Sequence, residues 1–549
     1  MTTTSAPGPK TATPSLIPAT PGLLGRLGVW VTDHAKLVTA VWLLAIIGLG
    51  AFAPQVEHNL SGAGWQANGS ESVEARELAR EHFGGNASSA IQVVVRSTNG
   101  PVTDGEGSEV ISEVTRILED EPRIAEVVAP TPGATLSEDG STAIVLAGAG
   151  ADTNDMVRVA TDLKTDLQGL STDTVEVNPT GSSLLWSDFN EANLDAMLKS
   201  ELMSWPVTLA ILVLAFGALV AAGLPLILTL AGLVASAGSL VLINELVPVS
   251  IWAMNFAMMF ALALGIDYAL FLVARYRAAR AARNSHRLED RQWAIAQTMD
   301  TAGKAVLLSG LTVLVSLSAV MLVPSPSFRS MAGGIMLSVV FVLGATLTLL
   351  PLVLFKLDGR INKLALPWSR SGEHRSPRFA AWGERLWKRP VAWGLAALVI
   401  LLALAAPIVG LQTAMPSIKV LPEDASARVG YDQVQQSFGE GAPGTLQIVL
   451  DETDADAAAT VLREDAGIAA TMGPVPAADD SGLVLVQAVP TVDPSDPALG
   501  DTVDRLRADL PGSALVGGAA VENIDLKTQL DESRRWSSAW SWCSGSFCC

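Results

Sequence analysis

Long apolar runs alternate with two long polar blocks along this chain. A membrane-spanning helix needs roughly 20 predominantly apolar residues, and short turns or a basic loop separate most of the apolar runs. The sequence therefore predicts a polytopic membrane protein with about seven transmembrane helices. The predicted spans are Leu37–Ala53, Leu202–Ala222, Leu224–Leu246, Trp252–Ala274, Ala305–Val323, Met331–Phe355 and Val391–Val409.

Both polar blocks have the alternation and helical periodicity of small soluble domains. The order β-α-β-β-α-β is typical of the ferredoxin-like unit, so we predict an α+β domain of this kind in each block. The first block has these predicted elements: Ala90–Ser97, Ser108–Asp120, Ile124–Val128, Thr142–Ala147, Asp155–Leu167 and Thr174–Val177. The second block has these: Thr445–Leu450, Asp454–Ala466, Gly482–Val489, Leu499–Leu510 and Ser513–Val516.

The two blocks belong to an internal repeat. The segment ELAREHFG at 77–84 resembles DQVQQSFG at 432–439, and each precedes the first strand of its block. The repeated unit is one span, one α+β domain and then five spans, begun a second time after residue 390. In this sequence the second copy stops before its five spans.

Charge is divided between the two sides of the predicted membrane. The chain has a net charge of −19, yet it is 49% hydrophobic and has a mean hydropathy of +0.37. Residues 57–201 hold 25 acidic and 8 basic residues, whereas the loop 275–304 holds 3 acidic and 7 basic ones. Because basic short loops stay in the cytoplasm, we place both α+β domains outside it. The acidic balance also argues against nucleic-acid binding.

Several classes of chemistry lack their residues here. All three cysteines lie in the last seven positions, the five histidines have no metal-ligand spacing, and no phosphate-binding glycine loop is present. The acidic residues of the polar blocks are dispersed, as solvated helix faces would be. We therefore predict no metal, no cofactor and no enzymatic activity.

Asp267 is the residue that calls for a functional explanation. It lies eight residues before Arg275, which closes the span, so its carboxyl is ~12 Å inside that end at ~1.5 Å per residue. A carboxylate at that depth costs about 2.5–3.5 kcal/mol by insertion scales, and such acids commonly mark ion or proton paths. The alternative is a carboxyl that only makes a helix–helix hydrogen bond.

Three segments resemble the MmpL-type branch of the RND superfamily. GIDYALFLVARYR at 265–277 is similar to the signature of the family's fourth helix. TAGKAVLLSGLTV at 301–313 resembles its fifth helix, and GSESVEARELAREHFGG at 69–85 resembles the start of its first porter domain. The resemblance covers about residues 25–533. It implies twelve helices, two periplasmic porter domains and proton-driven export of lipids or other hydrophobic small molecules.

The resemblance also assigns a proton relay. Asp267 would be the proton carrier, Tyr268 its hydrogen-bonding neighbour and Ser309 a hydroxyl on the fifth helix. The family's second Asp-Tyr pair, on a tenth helix, is absent from this sequence. Two other functions stay open: a membrane-integrated export aid like SecDF, and a non-transporting membrane scaffold or inactive remnant.

Together these patterns divide the chain as follows. Protons, membrane lipids and a lipid or hydrophobic substrate are the expected partners in the plasma membrane, and the sequence leaves a homo-oligomer open. The predicted parts are a disordered cytoplasmic tail (1–33), transmembrane helix 1 (34–56), the first porter domain (57–201), transmembrane helices 2–6 (202–355) with the cytoplasmic loop 275–304, a cytoplasmic basic linker (356–390), transmembrane helix 7 (391–410), the second porter domain (411–533) and an anomalous tail (534–549).

The anomalous tail has the composition of a shifted reading frame. WSSAWSWCSGSFCC at 536–549 contains three tryptophans and all three cysteines. The codons of Trp and Cys begin with TG, so a frame read two bases further on places T in the middle of many codons, and such codons encode apolar residues. That frame would continue as an eighth span. We interpret the tail as a frameshift near Arg535 that shortened a longer transporter, the alternative being a naturally short half-transporter.

Overall fold

The computed structural model describes residues 21–55, 65–83, 91–247, 249–283, 287–361, 364, 377–410 and 417–532. The first part contains α1 Leu23–Asp33, α2 Ala35–Gly50, α3 Glu71–His82, β1 Ile91–Ser97, α4 Gly105–Glu119, β2 Ile124–Val128, β3 Thr142–Ala149, α5 Thr153–Gln168 and β4 Val175–Thr180. Next come α6 Ser182–Phe216, α7 Leu219–Asn244, α8 Ile251–Ala282, α9 Leu288–Thr298, α10 Lys304–Ser318, α11 Pro326–Gly344, α12 Leu350–Leu357, α13 Pro377–Lys388 and α14 Pro390–Ala405. The last part contains α15 Ser426–Phe438, β5 Leu446–Asp451, α16 Ala455–Glu464, β6 Ile468–Pro476, β7 Leu483–Pro490, α17 Ala498–Asp509, β8 Leu515–Gly517 and a helix, α18, over 519–532.

The protein is mostly helical, with two small antiparallel sheets. In the part of the chain that is described, six helical runs are long and apolar enough to cross a membrane. The count rises to seven if α1 and α2, which meet at an angle of 87°, form one span. These numbers agree with the prediction of a multi-pass membrane protein. The predicted anomalous tail at 534–549 lies outside the described residues.

The start of the chain departs from the prediction. Residues 1–20 lie outside the described part, but Leu23–Asp33 is a helix rather than the last third of a disordered tail. The side chain of Asp300 accepts hydrogen bonds from the backbone N–H of Gly22 (2.8 Å) and Gly25 (2.9 Å). A carboxylate at this helix end satisfies free N–H groups and matches the helix dipole. The sequence prediction missed this helix because the residue that caps it lies 275 positions away.

One predicted span also needs correction. The expected span Leu202–Ala222 is interrupted, because α6 ends at Phe216 and α7 begins at Leu219. Gly217 between them has a φ of +67°, a left-handed conformation that glycine adopts without steric cost and that commonly ends helices. Apolar residues on both sides of this turn hide it from a hydropathy pattern.

Small residues allow α8 to sit close to its neighbours. A Cβ at Gly265 would lie 2.2 Å from the hydroxyl oxygen of Thr229 on α7, and a Cβ at Gly334 on α11 would lie 2.8 Å from that of Ala253. Close approach of this kind is how membrane helices gain van der Waals contact without a hydrophobic driving force. As a result α8 is a central helix of the bundle, with α7 and α11 as its main neighbours. In contrast, α14 has no buried residue.

The two sheets have the same strand order. The first runs β2-β3-β1-β4 and the second runs β6-β7-β5-β8, with every recorded pair antiparallel. The strand Ile124–Val128 has the predicted bounds, whereas β6 was not predicted at all. The register of β6 shifts twice, and Gly473 within it has a φ of +101°. A bulged, largely exposed strand lacks the alternation by which strands are predicted.

The first helix of each polar block packs on the sheet of the other block. α3 contacts β8 and β5, and α15 contacts β4 and β1. Both helices are held by an acid of the opposite block, Asp188 being buried and Asp525 partly buried. Asp188 accepts a hydrogen bond from the backbone N–H of Ala427 (2.8 Å), and Asp525 accepts one from that of Ser72 (3.3 Å). The two α+β units are therefore joined by a reciprocal exchange of helices.

Candidate functional site

Asp267 lies on an exposed stripe of α8. Met259, Ala263, Asp267 and Phe271 follow one another at intervals of four residues, and all four are exposed. The helix begins at Ser250, whose side chain accepts a hydrogen bond from Trp252 N–H (3.3 Å), and apolar residues continue it without a break. No hydrogen bond or ion pair joins Asp267 to another residue that the structure describes. The carboxyl is thus available to a group that comes from outside this bundle.

Tyr268 points in another direction from Asp267. Consecutive residues on a helix are separated by about 100°, and Tyr268 lies in the main membrane core with 4% of its surface exposed. Its hydroxyl is buried and has no hydrogen-bond partner among the described residues. The structure therefore places the carboxyl and the phenol on different faces, and no hydrogen bond joins them.

Ser309 is exposed on α10, next to a buried glycine. A Cβ at Gly310 would lie 2.4 Å from a methyl carbon of Leu343, so this side of α10 faces α11. Within the described residues Ser309 has no hydrogen bond to Asp267 or Tyr268. The three predicted relay residues are therefore on neighbouring parts of one bundle, but no hydrogen-bonded group contains them together.

Asp267 opens instead onto a groove between α6, α7 and α8. The groove has a volume of about 370 Å³. Its polar lining comes from Asp267 and from two hydroxyl residues of α6, Ser204 and Thr208. Its other lining residues are Trp205, Leu226, Leu262, Ala263 and Ile266. The sequence prediction missed the residues of α6, although hydroxyls four residues apart within an apolar span are a signal that could have found them.

A cluster of charges fixes the C-terminal end of α8. Asp358, just after α12, accepts a hydrogen bond from the hydroxyl of Tyr276 (3.1 Å) and forms an ion pair with Arg280 (2.6 Å). Arg291 on α9 lies 3.7 Å from the same carboxylate. Arg277 donates a hydrogen bond to the backbone carbonyl of Phe216 at 2.7 Å. These contacts tie the C-terminal end of α8 to α6, α9 and α12 at the predicted cytoplasmic side.

Comparisons with known proteins agree with this architecture. The chain matches the MMPL family over residues 64–393. It is 28% identical over 513 residues to the mycolic acid-containing lipids exporter MmpL11 of Mycolicibacterium smegmatis, across 89% of this chain and 53% of that protein. It is 31% identical over 538 residues to the membrane protein SCO6666 of Streptomyces coelicolor, across 94% of this chain and 72% of that one.

A more distant relative is also an exporter by name. The trehalose monomycolate exporter MmpL3 of Mycobacterium tuberculosis is 24% identical over 462 residues, across 76% of this chain and 47% of that protein. This chain thus spans about half the length of the mycobacterial relatives that it matches. The match to the family covers more than half of its residues, and the chain therefore belongs to the MMPL family of membrane transporters.

Proposed function

We propose that this chain is part of a proton-motive-force-driven exporter of lipids or other hydrophobic small molecules across the plasma membrane. The observation that carries the proposal is the position of Asp267, an acid within a long apolar helix that opens onto a groove of the bundle. A charged carboxyl among membrane helices is much more costly than a neutral one. A change in its protonation therefore favours a different helix arrangement, which is how a proton can be coupled to motion. The names of the relatives MmpL11 and MmpL3 favour a lipid substrate.

Tyr268 and Ser309 are proposed as partners of Asp267 at another stage of transport. The buried hydroxyl of Tyr268 lacks a partner among the described residues, and such a group costs about 1–3 kcal/mol. A rotation or shift of α8 that brought it to the carboxyl would remove this cost. Ser309 is exposed on α10, so it is accessible to a helix or a water that packs there later.

The two α+β units are proposed to be ferredoxin-like porter domains on the extracytoplasmic side. Their helix and strand order, with sheet order β2-β3-β1-β4 and its equivalent in the second unit, supports this interpretation. The acidic composition of residues 57–201 and the basic loop 275–304 support the orientation. In this arrangement the exchanged helices α3 and α15 connect the two porters to each other, and α6 connects the first one directly to the membrane.

We further propose that the 549-residue chain alone is inactive or impaired. The exposed stripe of α8 carries Asp267, and α14 has no buried residue. Lipid is a poor neighbour for a carboxyl, so this face requires another protein surface. A SecDF-like export aid and a non-transporting scaffold stay as alternatives, and they differ from the leading proposal in the substrate that is moved.

Export by a longer form of the chain tests the proposal. The coding sequence is extended through the shifted reading frame, and lipid export is measured in cells that produce it. The variant Asp267→Asn keeps the shape and hydrogen bonding of the side chain but cannot carry a proton, so export is expected to stop at unchanged protein level. Glu245→Gln, the same chemical change at an exposed residue after α7, is the matched control and retains export. Normal export by Asp267→Asn would remove the assignment.

A further inference from the structure

One face of α6 carries polar side chains at helical spacing. Glu201, Ser204 and Thr208 are separated by three and four residues, so they lie on one side of the helix. Trp205, on the same side, donates a hydrogen bond from its indole nitrogen to the carboxylate of Glu201 at 2.7 Å. This polar face runs through the segment that connects the first α+β unit to the membrane bundle. Charged and hydroxyl groups on such a segment indicate contact with water.

The polar face of α6 reaches the level of Asp267. Arg277 is bonded to the carbonyl of Phe216 at 2.7 Å, which places these two positions side by side. Thr208 is eight residues from Phe216, or ~12 Å along α6, and Asp267 is ten residues from Arg277, or ~15 Å along α8. The two side chains are thus at similar depth. Their presence in the lining of one groove, together with Ser204, is the independent observation that they face each other.

The groove is large enough for a chain of water. Its volume of about 370 Å³ leaves room for several waters, since one water takes up ~30 Å³ in the liquid. Water needs two to four polar partners to be held in such a place, and the apolar lining from α7 and α8 offers none. The available partners are the hydroxyl of Thr208, the carboxyl of Asp267 and the hydroxyl oxygen of Ser204, which can accept from water while its O–H donates to the carbonyl of Glu201 at 3.2 Å.

We propose that Ser204 and Thr208 are positioning residues that hold a hydrated proton route from the Glu201 end of α6 to Asp267. The inference rests on the proposed role of Asp267 as proton carrier. In each transfer a water bonded to Thr208 gives one proton to the carboxylate and takes one from the next water of the groove, and the last water at the Glu201 end takes its proton from hydronium of the outer medium. One proton thus leaves the medium and one O–H bond forms on Asp267, and every water of the route is left neutral. The structure thereby assigns the supply of protons to α6 rather than to Ser309 on α10.

Proton exchange at Asp267 in the existing 549-residue chain tests this route without any need for transport. The purified chain is placed in lipid vesicles, and the infrared carbonyl band of the protonated carboxyl is identified as the band that Asp267→Asn removes. The rate of its change after a pH jump is then measured. Thr208→Val is expected to slow it about tenfold, less than the 10²–10⁴ of a positioned acid–base group because water can fill part of the space. Ser204→Ala is expected to slow it in the same sense.

Matched variants separate the route from a change of structure. Thr208→Ser keeps a hydroxyl and should restore the rate. Thr312→Val removes a hydroxyl that is bonded to the carbonyl of Leu308 on α10 (2.9 Å), and it should leave the rate unchanged. Unchanged rates in both Thr208→Val and Ser204→Ala, or slowing by Ser309→Ala alone, would overturn the α6 route while Asp267 kept its role. If Asp267→Asn removed no titrating band, the proposed proton carrier itself would fail together with the route.

Discussion

At the scale of single residues, burial decides which acids of this molecule respond to pH. Glu522 on α18 forms an ion pair with Arg76 on α3, and both side chains are 14% exposed. Burial raises the pKa of Glu522 to about 7; Arg76 opposes this shift, whereas Asp525 and Glu77 add to it. The two units can be aligned at Gly181 and Gly518. Asp188 lies seven residues after Gly181, just as Asp525 lies seven residues after Gly518, but the first unit has no acid that corresponds to Glu522. The exchange of α3 therefore contains a group whose pKa lies near neutrality.

This leads to a prediction for stability against pH. An unfolded glutamate titrates near 4.5, so the folded state binds the proton of Glu522 more tightly. The stabilisation is complete below that value and is lost as the pH rises through about 7. Thermal unfolding of the α+β units between pH 5 and pH 8 should show this loss in the natural chain, and Glu522→Gln should show less of it because its side chain never ionises. Glu452→Gln, at an exposed position of the same unit, should behave like the natural chain.

At the scale of elements, the reciprocal helix exchange depends on two acids, Asp188, which is buried, and Asp525, which is partly buried. Asp188 binds the start of α15 through Ala427 N–H and also pairs with Lys164 at 3.1 Å. Asp525 binds the start of α3 through Ser72 and pairs with Arg507 at 2.8 Å. Each acid thus satisfies a free N–H at a helix start and balances a cation. The internal repeat is preserved in this contact even though it joins residues more than 200 positions apart.

Asp188→Ala is expected to release α15 from the first sheet. The loss of a helix cap costs about 0.5–2 kcal/mol and the loss of a buried charge partner costs about 3–5 kcal/mol. Because Lys164 keeps a second acid, Glu191, as a partner, we expect about 2–4 kcal/mol. Hydrogen exchange at the amides of α15 measures this directly, and it should accelerate there before it does in α16. Asp432→Ala removes a partly exposed i,i+4 pair within α15 that does not involve Asp188, and it should change the exchange less than Asp188→Ala does. Equal protection in both variants would rule out the role of the cap.

At the scale of the whole molecule, one face of the bundle is not covered by any other element of the described part of the chain. This face includes the stripe of α8 with Met259 and Phe271, each 62% exposed, and the acid between them. Exposed apolar residues are ordinary for helices that face lipid, but a carboxyl is not. The helix that carries Asp267, α8, is therefore also a helix with one face uncovered by the described part of the chain.

The 549-residue chain is expected not to export lipid on its own. In reconstituted vesicles with an imposed pH gradient, it should give no more lipid movement than empty vesicles, and crosslinking should report how many copies associate. Movement that depends on the gradient and stops with Asp267→Asn would show instead that copies of this chain complete each other's exposed face.

The sequence predicts local features of the fold well, and it predicts contacts between distant segments poorly. Hydropathy predicts the membrane class, and alternation predicts strands such as Ile124–Val128, because these patterns are local. Asp267 could be singled out because an acid in an apolar run is conspicuous. The groove could not be predicted, because the presence of Thr208 and Asp267 in one lining depends on how α6 and α8 pack. Adjacency in sequence does not give the direction of a side chain: Asp267 and Tyr268 are neighbours in the chain, and here they occupy different faces of α8.

The most direct test of the central claim is a simultaneous record of proton influx and lipid export in one vesicle preparation of the frame-extended protein. The claim is that a proton carried by Asp267 is required for each export event. We predict that Asp267→Asn abolishes both fluxes together while Glu245→Gln retains both. Lipid export that continued in Asp267→Asn, or proton influx that continued there without export, would contradict it.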